Sequence, residues 1–406
     1  MERSASTSWK AHVAFGLALA FGCGITPALA GPSYSLLTTI PVPPDESNPN
    51  PGGIFNAFDI SFFDPTTQLD YVADRSNAGI DVFSAKTDTY VTRIPGFVGQ
   101  QASNSLSGPD GVVVVSQPSE HLLFGGDGDS TLKAFNIATG YTPLSYSPVS
   151  TGGNHRVDEM AYSPLTNQVL AANNADTPTP FATLVNATTG ATSAKILIPG
   201  ATGIEQPVWD PTTGHFWVSV PNFGGGADPG GLAEIATDGS VTATFDFASM
   251  GITTCSPAGL ARGGSGNLMV GCGSASQSIL FDPTTGHIVT TFPQVSGSDE
   301  LWYDPTTHDY FITGENNPGG SVFGIVSDLT DDFLANVATP VGNAHSIAVD
   351  PISGQVFLPL AGGPANTLCP DGCIAIYAAA VPEPTSLMLL GVGLAGFGVM
   401  RRRRSR

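Results

Sequence analysis

The chain has 406 residues and a formal charge of −20, from 14 Lys+Arg against 34 Asp+Glu. So acidic a composition excludes nucleic acid as a partner, because phosphate contacts need clustered cations. Seven cations sit at the two ends (Arg3, Lys10, Arg401, Arg402, Arg403, Arg404, Arg406), so residues 31–381 carry 7 cations and 32 acids, net −25. With 49 Gly and 33 Pro, and only 12% charged residues, the chain is rich in turns, which excludes long helices and coiled coils.

Residues 1–30 read as a secretory signal helix: Arg3 and Lys10, an apolar stretch from Val13 to Ile25, Pro27, then the small-x-small pattern Ala28-Leu29-Ala30. Signal peptidase would cut after Ala30. The apolar run falls short of the ~20 residues a membrane span needs, so export is the expectation.

From residue 31 to 380 the chain repeats. The marker is Asp-Pro between two apolar runs, at Asp64, Asp210, Asp304 and Asp350, with Ser163-Pro164 in the same role and Ser116 and Arg262 filling the gaps. Spacings of 42 to 52 residues fall in the range of propellers and arrays. Each unit splits into short apolar, β-branched or aromatic runs bounded by turn residues. Innermost strands read FDISFF, GVVVV, DEMAY, QPVW, AGLA, ELWY and SIAV. Fourth strands read YVTRI, LSYSP, AKILI, TATFD, VTTF and LANVA, one short of seven. Tyr34–Ile40, just after the signal, can supply the missing strand beside CIAIY and so close the ring, hiding its edges. The predicted body is an all-β, seven-bladed propeller of four-stranded antiparallel blades.

The repeats resemble YVTN-type seven-bladed propellers, whose unit runs roughly His-Gly-Ile-Ala-Val-Asp-Pro-x-Thr-Gly-x-Val-Tyr-Val-Thr-Asn; residues 345–358 follow it, although Tyr-Val-Thr-Asn itself is absent. Asp74-Arg75-Ser76-Asn77 with Ile80-Asp81-Val82-Phe83 is similar to NHL repeats, a neighbouring propeller class. Fold does not imply function.

Counting back five residues from each marker gives Asp59, Gly111 with Asp110 beside it, Asp158, Glu205, Pro257, Asp299 and His345. These positions rim the central channel, on the face that also carries the long, unequal loops 221–231 and 314–320. A ring of like charges raises the pKa of its members, so Ca²⁺ is the cofactor such a ring would take; otherwise each Asp caps a turn at its strand entry. His155-Arg156 and His345 are the groups near the rim suited to base or oxyanion work.

Ser130-Thr131-Leu132-Lys133 has the Ser-x-x-Lys spelling but lies on a strand, where i and i+3 point to opposite sides. Asp127-Gly128-Asp129 opens like a calcium loop, yet Leu132 and Ala138 stand where Gly and Glu are required. Cys255 and Cys272 flank the turn 262–266 symmetrically, as a cross-strand disulfide would, and Cys369 and Cys373 suit a small staple.

The tail 381–406 holds Pro382-Glu383-Pro384, an uncharged segment 387–400 and an Arg cluster. At 1.5 Å per residue the segment makes a short hydrophobic helix, a marginal span that inserts transiently and leaves the Arg cluster cytoplasmic. The three elements in this order resemble the PEP-CTERM sorting tail of Gram-negative bacteria that make exopolysaccharide. That resemblance implies processing by an exosortase near Pro-Glu-Pro, and delivery to the envelope or an extracellular matrix. No motif has the context that catalysis needs, so the sequence favours a non-catalytic binding or scaffold module with a surface polysaccharide or protein as partner. The alternative is a calcium-dependent, lactonase-like hydrolase working in the channel, since gluconolactonase-like propellers hold Ca²⁺ there with carboxylates.

Overall fold

The computed structural model describes residues 32–45, 53–117, 120–224, 228–273, 277–340 and 343–380. The signal helix with Ala28 and Ala30, and the tail with Pro382, Glu383, Pro384 and segment 387–400, lie outside the described residues. Within them, seven antiparallel sheets form seven blades. Each innermost strand touches the next, and the last, Ala348–Val349, returns to the first, Phe58–Asp64, which closes the ring. Alternating apolar positions on each sheet pack against the neighbouring blade, giving seven hydrophobic clusters, one per interface.

Closure follows the expected route. Tyr34–Pro41 pairs antiparallel with Cys373–Ala379, so the fourth strand of blade 7 comes from the N-terminal side of the body. The register sets Tyr34 opposite Ala379 and Pro41 opposite Cys373. Both ends of the propeller body therefore leave the same face, the one carrying the turns that join first to second strands.

The turns on that face use side-chain chemistry. In Asp210–Gly214 the Asp210 carboxylate accepts from the Thr212 N–H (3.0 Å) and the Thr213 hydroxyl (2.9 Å), and Gly214 takes φ 71°. Asp304 and Asp350 accept from Thr306 N–H and Ile352 N–H in the same way, both at 2.9 Å.

Two blades depart from the four-strand expectation. In blade 2 the segment LSYSP is not a strand; the outer position is held by Thr142–Pro143 and Val149–Ser150. Blade 3 is three-stranded, and AKILI meets it through the single bridge Ala182↔Ile196. The cause is the same in both: a serine hydroxyl takes the N–H that a ladder carbonyl would accept, Ser147 from Ala134 and Ser193 from Leu184, each at 3.0 Å. Pro148 also lacks a donor.

Both disulfides are formed, Cys255–Cys272 and Cys369–Cys373. Cys255 precedes the strand Pro257–Arg262 and does not pair across it, because Cys272 stands opposite Pro257. Ser256 turns at φ 54° and brings the Cys255 Cα to 4.5 Å from that of Cys272.

Candidate functional site: the acidic mouth of the channel

On the face opposite the chain ends the channel opens into a polar cavity of about 400 Å³, lined by Asp59, Asp158, Glu205, Asp299 and His345 together with Arg75, Arg156, Glu159 and Glu315. The remaining rim residue, Asp110, is fully buried, with a carboxylate oxygen within 4.8 Å of those of Asp59 and Asp158. Residues from blades 1, 2, 3, 4, 6 and 7 thus share one mouth. Gly111 occupies the rim position in blade 2 because a Cβ there would lie 1.8 Å from the Asp158 carbonyl oxygen.

Two arginines compensate part of the negative charge. Arg75, in the turn between second and third strands of blade 1, bridges Asp59 and Asp110 and donates to Asn104 Oδ1 at 3.1 Å. Arg156 pairs with Asp158 at 2.7 Å and donates to Asn174 Oδ1, which in turn donates from Nδ2 to Glu205 at 3.1 Å. His345 Nδ1 bonds the Asn343 carbonyl (2.9 Å), so Nε2 faces Asp59 Oδ1 at 3.5 Å, while its ring stacks on Phe58. His155 instead lies 3.4 Å from Asp176.

Two cations cannot offset so many acids. Burial pushes Asp110 up to about 7, against the pull of Arg75 and Arg156. Burial, with Asp158 and Asp299 adding like charge, pushes Glu205 up to about 8. Glu300, buried below the rim, is also pushed up to about 8 by burial, with His345 pulling the other way; its Oε2 accepts from Ser346 Oγ at 2.5 Å. Burial raises Asp299, and raises Glu159 well above the usual carboxylate range with help from Asp158, Glu205, Glu300 and Asp299.

Among the described residues, two groups offer ligand atoms close enough for a metal: Asp59, Asp299 and His345, and Asp59, Asp110 and Asp158. In the second, guanidinium groups already occupy the carboxylates. In the first, Arg75 holds Asp59 alone, and Asp299 and His345 complete a mixed oxygen and nitrogen donor set facing the cavity, which suits a divalent cation.

Sequence reasoning missed Arg75, Glu159, Glu300 and Glu315. Arg75 was legible only as a turn residue in a propeller-like motif, although the body has so few cations that one in a mouth-face turn is itself a signal. Glu159 and Glu300 follow the rim residues Asp158 and Asp299 directly. They precede the regular strands Met160–Ser163 and Leu301–Asp304, so strand alternation does not send them away from the mouth.

Among the described residues no helix is long and apolar enough to cross a membrane. The chain matches no curated protein over its length. Its residues 380–404 match the PEP-CTERM protein-sorting motif. The chain is thus a seven-bladed β-propeller that carries a PEP-CTERM sorting motif, the mark of an exported, envelope-associated protein sorted by an exosortase.

Proposed function

We propose that the protein is a non-catalytic binding module of the cell envelope or exopolysaccharide layer, which presents the acidic mouth to a surface polysaccharide. The observation that carries this reading is the polarity of the ring: mouth and long loops lie on one face, and both ends of the body leave the other. A chain held at the membrane by its C-terminal tail would then turn the mouth outward. Carboxylate acceptors alternate with guanidinium and amide donors around the cavity, a set that matches the paired donors and acceptors of sugar hydroxyls.

Binding of the purified protein to exopolysaccharide from the producing cells, compared with an Asp158→Asn/Asp299→Asn variant, tests this. Equal retention of both proteins would sink the mouth as the contact surface. Mass spectrometry of the native protein tests the disposition, which predicts new ends after Ala30 and near Pro382 to Pro384.

The grouping of Asp59, Asp299 and His345 favours a second reading, a calcium-dependent hydrolase of lactonase type in which the bound ion activates water. Calcium titration by calorimetry, with wild type and an Asp158→Ala/Asp299→Ala variant, decides between them. Tight binding lost in the variant would support the hydrolase; absence of calcium binding would remove it.

A further inference from the structure

Below the mouth the channel narrows to an apolar waist of about 320 Å³, lined by Val113, Met160, Trp209, Leu260 and Trp302 from the innermost strands. Glu159 is the one residue lining both cavities. It is 5% exposed, and its Oε2 has no hydrogen-bond partner. At the same place in blades 4 and 6 one side-chain oxygen of Gln206 and of Glu300 is engaged; Glu300 Oε1 also lacks a partner, but Glu300 lines neither the mouth nor the waist. Gln206 accepts from the Leu260 N–H at 2.6 Å, and Glu300 accepts from Ser346, each reaching into the next blade.

We infer that the channel is a binding site for a small organic monocation with an apolar body, its ammonium group held by Glu159 at the neck and its apolar part in the waist. A buried carboxylate oxygen without a donor is costly, and a donor arriving with positive charge removes that cost. A chelated metal does not meet the same need, because Glu159 belongs to neither of the close ligand groups, which lie in the mouth. An anion is excluded by the surroundings. Asp158, Glu205, Asp299 and Glu300 are the acids facing Glu159, while the cationic groups of the two cavities are committed elsewhere: Arg156 to Asp158, Arg75 to Asp59 and Asp110, Arg262 in the waist to Asp210, and His345 to the Asn343 carbonyl and Asp59. An ammonium without an apolar part would leave the waist unfilled.

This inference goes beyond the polysaccharide reading and does not depend on it. The probe is n-hexylammonium, titrated calorimetrically into the full protein, with n-hexanoate, hexanol and methylammonium as comparisons. Hexylammonium should bind, hexanoate should not, and methylammonium, which lacks five methylenes, should bind about a thousandfold more weakly, given about 0.8 kcal/mol per buried methylene. Glu159→Gln, which keeps the shape, should weaken hexylammonium about tenfold or more while leaving hexanol unchanged. Equal binding of hexylammonium and hexanoate by the wild type would overturn the inference without any variant. So would an unchanged affinity in Glu159→Gln. Retention on exopolysaccharide without hexylammonium binding would overturn this inference and leave the mouth reading standing; the reverse result would do the opposite.

Discussion

The two faces of the ring use the same side chain to opposite ends. On the face of the chain ends, each Asp-Pro carboxylate sits in a turn whose own N–H and hydroxyl groups satisfy it. Asp210 is thereby held below the usual carboxylate range: burial raises it, but Thr212, Thr213 and Arg262 outweigh that. Asp282 is lowered in the same way, with Thr285 and Thr284 overcoming the effect of burial. In the mouth burial raises Asp110, Glu205, Asp299 and Glu300, like-charged neighbours add to it, and few backbone donors offset it. A carboxylate is structural where the local backbone supplies its donors, and available to a ligand where only other side chains do.

The strongest way to break this contrast is to remove the cation that makes the mouth tolerable. Arg75→Ala leaves Asp59 and the fully buried Asp110 without their bridge, and should cost about 3–5 kcal/mol in denaturant unfolding. A loss under about 1 kcal/mol would mean the mouth carboxylates are already neutral. Adding Asp110→Asn to the same chain should recover part of the loss.

Next in size is the staple of blade 5. Replacing Cys255 and Cys272 by Ser opens a loop of 17 residues and should cost about 3 kcal/mol, more than opening the four-residue separation of Cys369 and Cys373. Equal thermal shifts for the two pairs would argue against the loop-entropy account.

The pH dependence separates the faces directly. An acid whose pKa is raised on folding binds its proton more tightly in the native state, so stability is full below the unfolded value and falls as pH rises through the folded one. For Glu205 and Glu300 that window runs from the ordinary 4.5 to about 8. The melting temperature should therefore fall as pH rises across this window, and Glu205→Gln/Glu300→Gln should flatten the profile. The lowered Asp210 and Asp282 act with the opposite sign, losing their contribution only as pH drops below the ordinary 3.8. A flat profile in the wild type would show that the mouth carries no net proton uptake.

The smallest effect belongs to the turn face. Asp282→Ala removes acceptors for Thr284 N–H (2.8 Å) and the Thr285 hydroxyl (2.8 Å), and should cost about 1 kcal/mol by chemical denaturation, with no change in any ligand binding.

Period-two apolar runs, Asp-Pro turns and an unpaired strand at residues 34–40 made the ring, its seven units and its closure legible from the chain alone. These are local signals repeated at a fixed interval, and a repeat needs only its own turn chemistry and its neighbour's apolar face. The same regularity put Asp59, Asp158, Glu205, Asp299 and His345 at equivalent rim positions, with Asp110 beside the equivalent Gly111. What each rim residue does was settled across blades. Arg75 in blade 1 reaches Asp110 of blade 2, Asn174 of blade 3 reaches Glu205 of blade 4, and Glu159 Oε2 is left without a hydrogen bond where the mouth meets the waist. Such pairings join residues far apart in the chain and depend on side-chain length and blade radius. No spacing encodes those quantities, so only the closed ring could decide which carboxylates are neutralised and which face the channel.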